Sequence, residues 1–282
     1  MVDRFGGGRA AVIGGGTMGA GIAQVLLEAG CEVVVVEADG DAAERARSRV
    51  AEGLARRKGI APEELDARVG RLRVVAGLDA PLDVELVVEA IPEIPAAKRD
   101  LLSAAEKVVP PGALLASNTS SLSISGLAGA LERPERFLGM HFFNPVPLSA
   151  LVELVVAEGT APAAVDDARA WVARLGKESI EVRDSPGFAT SRLGLALGLE
   201  AIRMLEEGVA TAADIDAGMV LGYRHPMGPL RLTDLVGLDV RLAIAVHLSA
   251  TLGSRFDPPE LLRDKVAAGE LGQKSGRGFY DW

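Results

Sequence analysis

Arg9-Ala-Ala-Val-Ile-Gly-Gly-Gly-Thr-Met-Gly-Ala-Gly21 is the stretch that decides the fold. Ala10 to Ile13 read as a short buried strand, and a helix starting with Thr17 and Met18 runs to about Leu27. Gly14, Gly16 and Gly19 between them form G-x-G-x-x-G. Each glycine does something different: Gly14 permits the tight turn, Gly16 lets the backbone approach a pyrophosphate, and Gly19 lets the helix pack closely on its strand. With no side chains in the way, a phosphate can sit on the helix N-terminus, where unpaired N–H groups and the helix dipole favour it.

Such a motif also arises by chance, and its surroundings give it weight. Gly30 stops the helix, and Cys31-Glu-Val-Val-Val-Val-Glu37 is a buried-type strand ending in an acid eighteen residues beyond Gly19. A carboxylate there accepts hydrogen bonds from an adenosine ribose and repels a 2′-phosphate, which points to NAD rather than NADP. FAD uses the same fingerprint, often with a glutamate, and these residues alone leave it open.

The 282 residues are 49% hydrophobic and 24% charged, a globular composition with room for two domains. A formal net charge of −9 argues against a general nucleic-acid binder. The single cysteine, Cys31, excludes an intrachain disulfide framework and suits a reducing compartment. Met1 to Gly8 is too short and polar for a signal peptide, and no apolar run is long and isolated enough to span a bilayer, so a cytoplasmic protein without a membrane partner is expected. The three histidines, His141, His225 and His247, lie apart without ligand spacing, so no metal is expected.

Beyond Glu37 the pattern alternates. A helix is expected over Asp41 to Lys58, rich in arginine and ending in Arg56, Arg57 and Lys58. Its charge fits either a solvated face with cations at the helix C-terminus or a landing surface for a phosphorylated substrate handle. Helices over Pro62 to Arg71, Pro95 to Val108 and Ala161 to Leu175 alternate with strands at Leu72 to Ala76, Glu85 to Ala90, Gly112 to Ala116, Phe137 onward, Leu148 to Val156 and Ser179 to Val182. Glu89 and Glu93 fall at a strand's carboxyl end, the edge where open α/β sheets bind ligands. Ser117-Asn-Thr-Ser-Ser121 leaves the next strand as a polar loop or helix cap. Glu153, within Leu-Val-Glu-Leu-Val-Val, needs a partner to be buried, and His141 is the evident one.

At Asp184-Ser-Pro-Gly-Phe188 the character changes. Helices are expected over Phe188 to Gly208, Ala212 to Leu221, Leu230 to Leu252 and Pro259 to Ala268. The first is apolar over most of its circumference, which suggests burial within the domain, against the first domain or in a homodimer. The fold class is thus α/β, an N-terminal Rossmann-type, mostly parallel sheet domain (1–184) with an all-helical C-terminal domain (185–282) for substrate and dimerisation.

The chain resembles the short-chain 3-hydroxyacyl-CoA dehydrogenases over essentially its whole length. The resemblance rests on the glycine-rich opening, Ser117-Asn-Thr-Ser-Ser-Leu122, His141-Phe-Phe-Asn-Pro145, Leu151-Val-Glu-Leu154, Asp184-Ser-Pro-Gly-Phe188, Pro226-Met-Gly-Pro229 and Gly272-Gln-Lys-Ser-Gly-Arg-Gly-Phe-Tyr280. It implies that His141 is the catalytic histidine, Glu153 its partner and Ser120 the active-site serine. It also implies that Glu93, Lys98, Asn144 and Lys274 lie along NAD, and that the basic run Arg56 to Lys58 lies near the CoA phosphates. These roles agree with oxidation of a secondary alcohol, in which a base takes the hydroxyl proton as hydride leaves carbon 3 of an L-3-hydroxyacyl-CoA. There is one departure: where the family writes Pro-Gly-Phe-x-x-Asn-Arg, this chain has Ser191 for the asparagine that orients substrate. An altered substrate range or turnover is expected from the shorter side chain. Rival readings are a dehydrogenase of a polar hydroxy acid without CoA, such as a sugar acid, and an NAD(H)-binding protein without catalysis.

Overall fold

The computed structural model describes residues 7–57 and 59–282. It divides into two compact units, one ending at Asp184 and one running Ser185–Trp282.

The first unit is built on one eight-stranded sheet: β1 (Arg9–Ile13), β2 (Glu32–Glu37), β3 (Leu72–Ala76), β4 (Leu86–Glu89), β5 (Leu114–Ser117), β6 (Phe137–Phe142), β7 (Leu151–Val156) and β8 (Glu178–Arg183). Their spatial order is β3-β2-β1-β4-β5-β6-β7-β8. Pairing is parallel from β3 through to β6, antiparallel between β6 and β7, and parallel again between β7 and β8. The order reverses direction at β1/β4, the switch point at which open sheets of this kind form a ligand crevice.

Connecting these strands are α1 (Thr17–Glu28), α2 (Gly40–Ala55), α3 (Pro62–Val69), α4 (Pro95–Val108), α5 (Ile124–Ala128) and α6 (Pro162–Arg174). Their starts are legible locally. Asp39 caps α2 by accepting from Ala42 N at 2.7 Å, Ser123 caps α5 through Gly126 N at 3.1 Å, and prolines open α3, α4 and α6, where a missing N–H costs nothing. Valine and leucine runs in β1, β2, β4, β5 and β6 are buried, as strands covered on both faces must be. Cys31 is buried just before β2 rather than inside it.

The second unit contains only helices: α7 (Thr190–Glu206), α8 (Ala212–Ala217), α9 (Pro229–Val236), α10 (Leu238–Leu252) and α11 (Glu260–Ala267), with a π turn over Gly218–Gly222. They enclose a core that includes Leu195, Leu199, Ile202, Leu230, Leu238 and Leu248. The single helix expected over Leu230 to Leu252 is instead two, α9 and α10, bent by 99° at Gly237. Gly237 has φ +101°, a conformation that glycine adopts without penalty, and the apolar periodicity runs through it without showing the corner. The helix expected from Phe188 starts at Thr190, because Phe188 itself has φ +49°.

The chain's end is tied down by Asp234 of α9. This fully buried carboxylate accepts from Phe279 N, Tyr280 N and Trp282 Nε1, each at 2.9 Å. Tyr280 donates its hydroxyl to Asp216 at 2.7 Å, and Asp216 also accepts from the N–H groups of Leu230 and Arg231 at the start of α9.

Candidate active site

The register of the antiparallel β6/β7 pair sets His141 directly opposite Glu153. Both are buried, and His141 Nδ1 lies 2.9 Å from Glu153 Oε2. Across one face of two paired strands, opposite residues have side chains close enough for this contact without any loop to position them. The imidazole also packs against Phe143, with ring centroids 4.5 Å apart.

Beside β6, the polar loop after β5 is held from two directions. Asn118 Oδ1 accepts from Phe142 N at 2.9 Å, which fixes the loop to the exit of β6. Glu93 Oε1 accepts from Thr119 Oγ1 at 2.5 Å and from Ser120 N at 2.8 Å. Glu93 in turn pairs with Lys98 of α4 at 3.1 Å, and the same ammonium donates to Glu89 at 2.7 Å and to the Ile91 carbonyl at 3.0 Å. Glu89 is completely buried and is satisfied by Lys98, by Ile91 N at 2.7 Å and by Ser117 Oγ at 2.5 Å. Burial acts to raise the Glu93 carboxyl, but Lys98, Thr119 and Ser120 outweigh it and hold the group below its ordinary value.

The bracing roles of Asn118 and Glu89 escaped the sequence reading. The signal for Glu89 was present, an acid at the end of an apolar strand with a lysine nine residues on. A pairing through the first turn of the next helix has no fixed spacing, however.

The glycine turn fits a dinucleotide. A Cβ on Gly14, which has φ +94°, would lie 2.9 Å from the Ala90 carbonyl oxygen, and one on Gly19 would collide with Gly14 O at 1.7 Å. Gly16 faces open space, the one position of the three where a phosphate can approach the backbone. Glu37, at the end of β2, accepts from Gly15 N at 2.6 Å and borders a cleft of about 610 Å³ whose walls include Ile13, Val36, Leu78, Ile91 and Leu101. An apolar slot with one carboxylate at its rim suits an adenosine, and Thr17 and Met18 line the adjoining hollow with Gly14 and Gly16.

A further groove of about 470 Å³ runs between α1, α2 and the loop after β6, lined by Thr17, Gln24, Arg49, Arg56, Arg57 and Asn144 among others. Its arginines are unequal. Arg57 is held by a two-pronged pair to Glu28, with Nε to Oε1 at 2.9 Å and Nη2 to Oε2 at 2.8 Å, which raises the guanidinium's pKa. Arg56 is exposed and reaches only Glu52, one turn back, at 3.2 Å. Lys58 lies outside the described residues. The loop itself is braced by Lys177, whose Nζ donates to Val146 O at 2.7 Å and Ser149 O at 2.5 Å.

Ser191 and Lys274 belong to the second unit. Ser191 is half-buried in the first turn of α7, and Lys274 pairs with both oxygens of Asp239 at 2.5 Å. Burial raises the Asp239 carboxyl, and Lys274 with the helix-start N–H groups brings it below its usual range.

Residues 9–185 match the 3-hydroxyacyl-CoA dehydrogenase NAD-binding domain, and residues 187–282 match the C-terminal domain of the same enzymes. A probable 3-hydroxybutyryl-CoA dehydrogenase of Bacillus subtilis is 43% identical over 96% of each chain. The solved (S)-3-hydroxybutyryl-CoA dehydrogenase of Ralstonia eutropha superimposes with a TM-score of 0.92 at 38% identity, over 97% of this chain and 98% of that one. A 3-hydroxyadipyl-CoA dehydrogenase of Escherichia coli is 38% identical over 96% of this chain and 58% of its own length. Matched over both of its units and by relatives along nearly its full length, the chain belongs to the NAD-dependent 3-hydroxyacyl-CoA dehydrogenase family.

Proposed function

We propose that His141, oriented by Glu153, is the acid-base residue of an enzyme that interconverts an L-3-hydroxyacyl-CoA and its 3-oxoacyl-CoA. The observation that carries this is the 2.9 Å contact between His141 Nδ1 and Glu153 Oε2, formed by strand register in a buried setting. The contact engages Nδ1 and so assigns proton exchange to Nε2. In the oxidation direction Nε2 takes the hydroxyl proton, and the Glu153 carboxylate stabilises the imidazolium that results. NAD, when bound, supplies the hydride acceptor. Ser120 hydrogen-bonds the reacting oxygen, its loop held by Glu93 and Asn118. Ser191 contacts the substrate in place of the family's asparagine. Gly14, Gly16, Thr17, Met18, Gly19, Glu37, Glu93, Asn144 and Lys274 form the NAD site, and Lys98, buried with its donors taken by Glu89, Glu93 and the Ile91 carbonyl, serves it by holding Glu93 rather than by touching NAD. Lys274 would exchange its Asp239 partner to join the site.

The substrate's phosphates are assigned to the groove beside α2. Arg56, exposed and weakly engaged, is the better candidate for a new anion, because Arg57 is already neutralised by Glu28. The relatives' names support a short acyl chain, either ending in a methyl group, as in 3-hydroxybutyryl-CoA, or carrying a distal carboxylate, as in 3-hydroxyadipyl-CoA. A homodimer through the helical unit is supported by Leu232, Leu235, Val236, Val240 and Val246 of α9 and α10, large apolar side chains that remain partly exposed.

The decisive comparison is His141→Gln against Glu153→Gln, assayed for NADH production from 3-hydroxybutyryl-CoA. Loss of nearly all kcat in the first and a large part of it in the second, with little change in KM, supports the assignment. Full activity in either variant overturns it.

A further inference from the structure

Apart from Arg241, the buried charged groups among the described residues are engaged, by an opposite charge or, for Asp216 and Asp234, by N–H and hydroxyl donors. Lys98 lies against Glu89, Arg133 against Glu106, and His141 beside Glu153. Arg241 departs from that rule. It projects from α10 with 6% exposure, and its Nε has no hydrogen-bond partner. No acid among the described residues offsets the cost of burying it, and burial alone pulls its pKa down to about 10, which still leaves it charged at neutral pH. Thr233 of α9 is fully buried, and its Oγ1 is likewise without a partner. Buried donors left in this way cost free energy until something accepts from them.

Both groups face one stripe of α7. A Cβ built on Gly194 would stand 3.5 Å from Arg241 Nη1, and one built on Gly198 would stand 3.1 Å from Thr233 Oγ1. Residues 191, 194 and 198 recur at i, i+3 and i+7, so Ser191 heads the same stripe, roughly 4.5 Å along the axis from Gly194. Glycine at 194 keeps the space before the guanidinium clear of a side chain.

We propose that Arg241 is a specificity-determining residue that receives a carboxylate at the far end of a short acyl chain after the chain has passed Ser191. The assignment rests on Ser191 contacting substrate, as in the function proposed above. A guanidinium is the side chain best shaped for a carboxylate, which it can bind through two parallel N–H donors. A methyl-ended chain leaves the guanidinium as unsatisfied as it is without ligand, so the preference arises from pairing a charge that is already buried.

The test compares 3-hydroxyadipyl-CoA with 3-hydroxyhexanoyl-CoA, chains of equal carbon number, in the NAD-loaded wild type, Arg241→Met and Arg241→Lys. The expected result is a wild-type preference for the adipyl ester in kcat/KM. That preference drops by about 10–100-fold in Arg241→Met and is partly retained in Arg241→Lys. Thermal stability should hold or rise in Arg241→Met, because an unpaired buried charge has been removed. An equal loss on both esters would mark Arg241 as merely structural, and an unchanged ratio would dismiss it. Dissociation of an oligomer by Arg241→Met, read by sedimentation, would assign the missing anion to a second copy of the chain and overturn the proposal. If the wild type turns over only the hexanoyl ester, the carboxylate site alone is wrong. If it turns over neither, the carboxylate site is wrong, and the CoA-ester function fails with it only if 3-hydroxybutyryl-CoA is not oxidised either.

Discussion

Lys98 lies 2.7 Å from Glu89 and 3.1 Å from Glu93, so a single buried ammonium joins a carboxylate sealed at the end of β4 to one that holds the serine loop. Its removal would leave Glu89 charged, fully buried and short of its cation. Breaking a buried pair from one side costs about 3–5 kcal/mol. Lys98→Met is therefore expected to lose stability by that margin in urea denaturation, and adding Glu89→Gln should recover much of the loss. Equal stability of the single and double variants would show that the two side chains are not coupled.

The same cluster sets a pH dependence. Glu93 titrates below the ordinary glutamate value of 4.5 in the folded protein, as does Glu28 beside Arg57, and Asp239 beside Lys274 is likewise depressed. A carboxyl whose folded pKa is depressed adds stability that is fully present above its unfolded pKa, about 4–4.5, and is lost as pH falls through the folded value. Denaturation midpoints should therefore hold steady from neutrality down to about pH 5 and fall below it. Glu93→Gln should make that decline shallower. A midpoint that rises on acidification would contradict the assignment.

The three glycines of the turn should respond differently to alanine. Gly19→Ala drives a Cβ into Gly14 O and is expected to unfold or severely destabilise the first unit. Gly16→Ala meets nothing within 4 Å, so the melting temperature should hold while NAD affinity drops. Calorimetry of binding together with thermal melting separates the two. A destabilised Gly16→Ala that still binds NAD normally would reverse the expected roles.

What could be read from the sequence followed from local rules. The glycine spacing, the strand ending at Glu37 and the first-turn prolines of α3, α4, α6 and α9 each announce an element within a few residues. The His141/Glu153 contact was legible because an acid in an apolar strand demands a partner. What stayed hidden depends on contacts that sequence distance does not encode. Glu28 claiming Arg57 across twenty-nine positions changes which arginine of the basic helix remains available. The corner at Gly237 is masked by an apolar pattern that suits one long helix as well as two. Arg241 reads as an ordinary surface charge on a helix until burial and the absence of a partner become visible together.

Glu153→Gln keeps the shape of the side chain and removes its charge. On the proposed role of Glu153 in orienting His141, kcat is expected to fall by about 10²–10⁴-fold. KM for the CoA ester should change little, because Glu153 is fully buried. Steady-state kinetics decide the matter, and a change confined to KM would mean that the carboxylate serves binding instead.

The most direct test of the proposed activity is NADH production by the purified protein from 3-hydroxybutyryl-CoA, run beside free 3-hydroxybutyrate, with NAD and with NADP, in wild type and His141→Ala. Turnover of the CoA ester that prefers NAD and collapses in His141→Ala is the expected result. Turnover of the ester that survives the loss of His141, or oxidation of the free acid as readily as the ester, would contradict it.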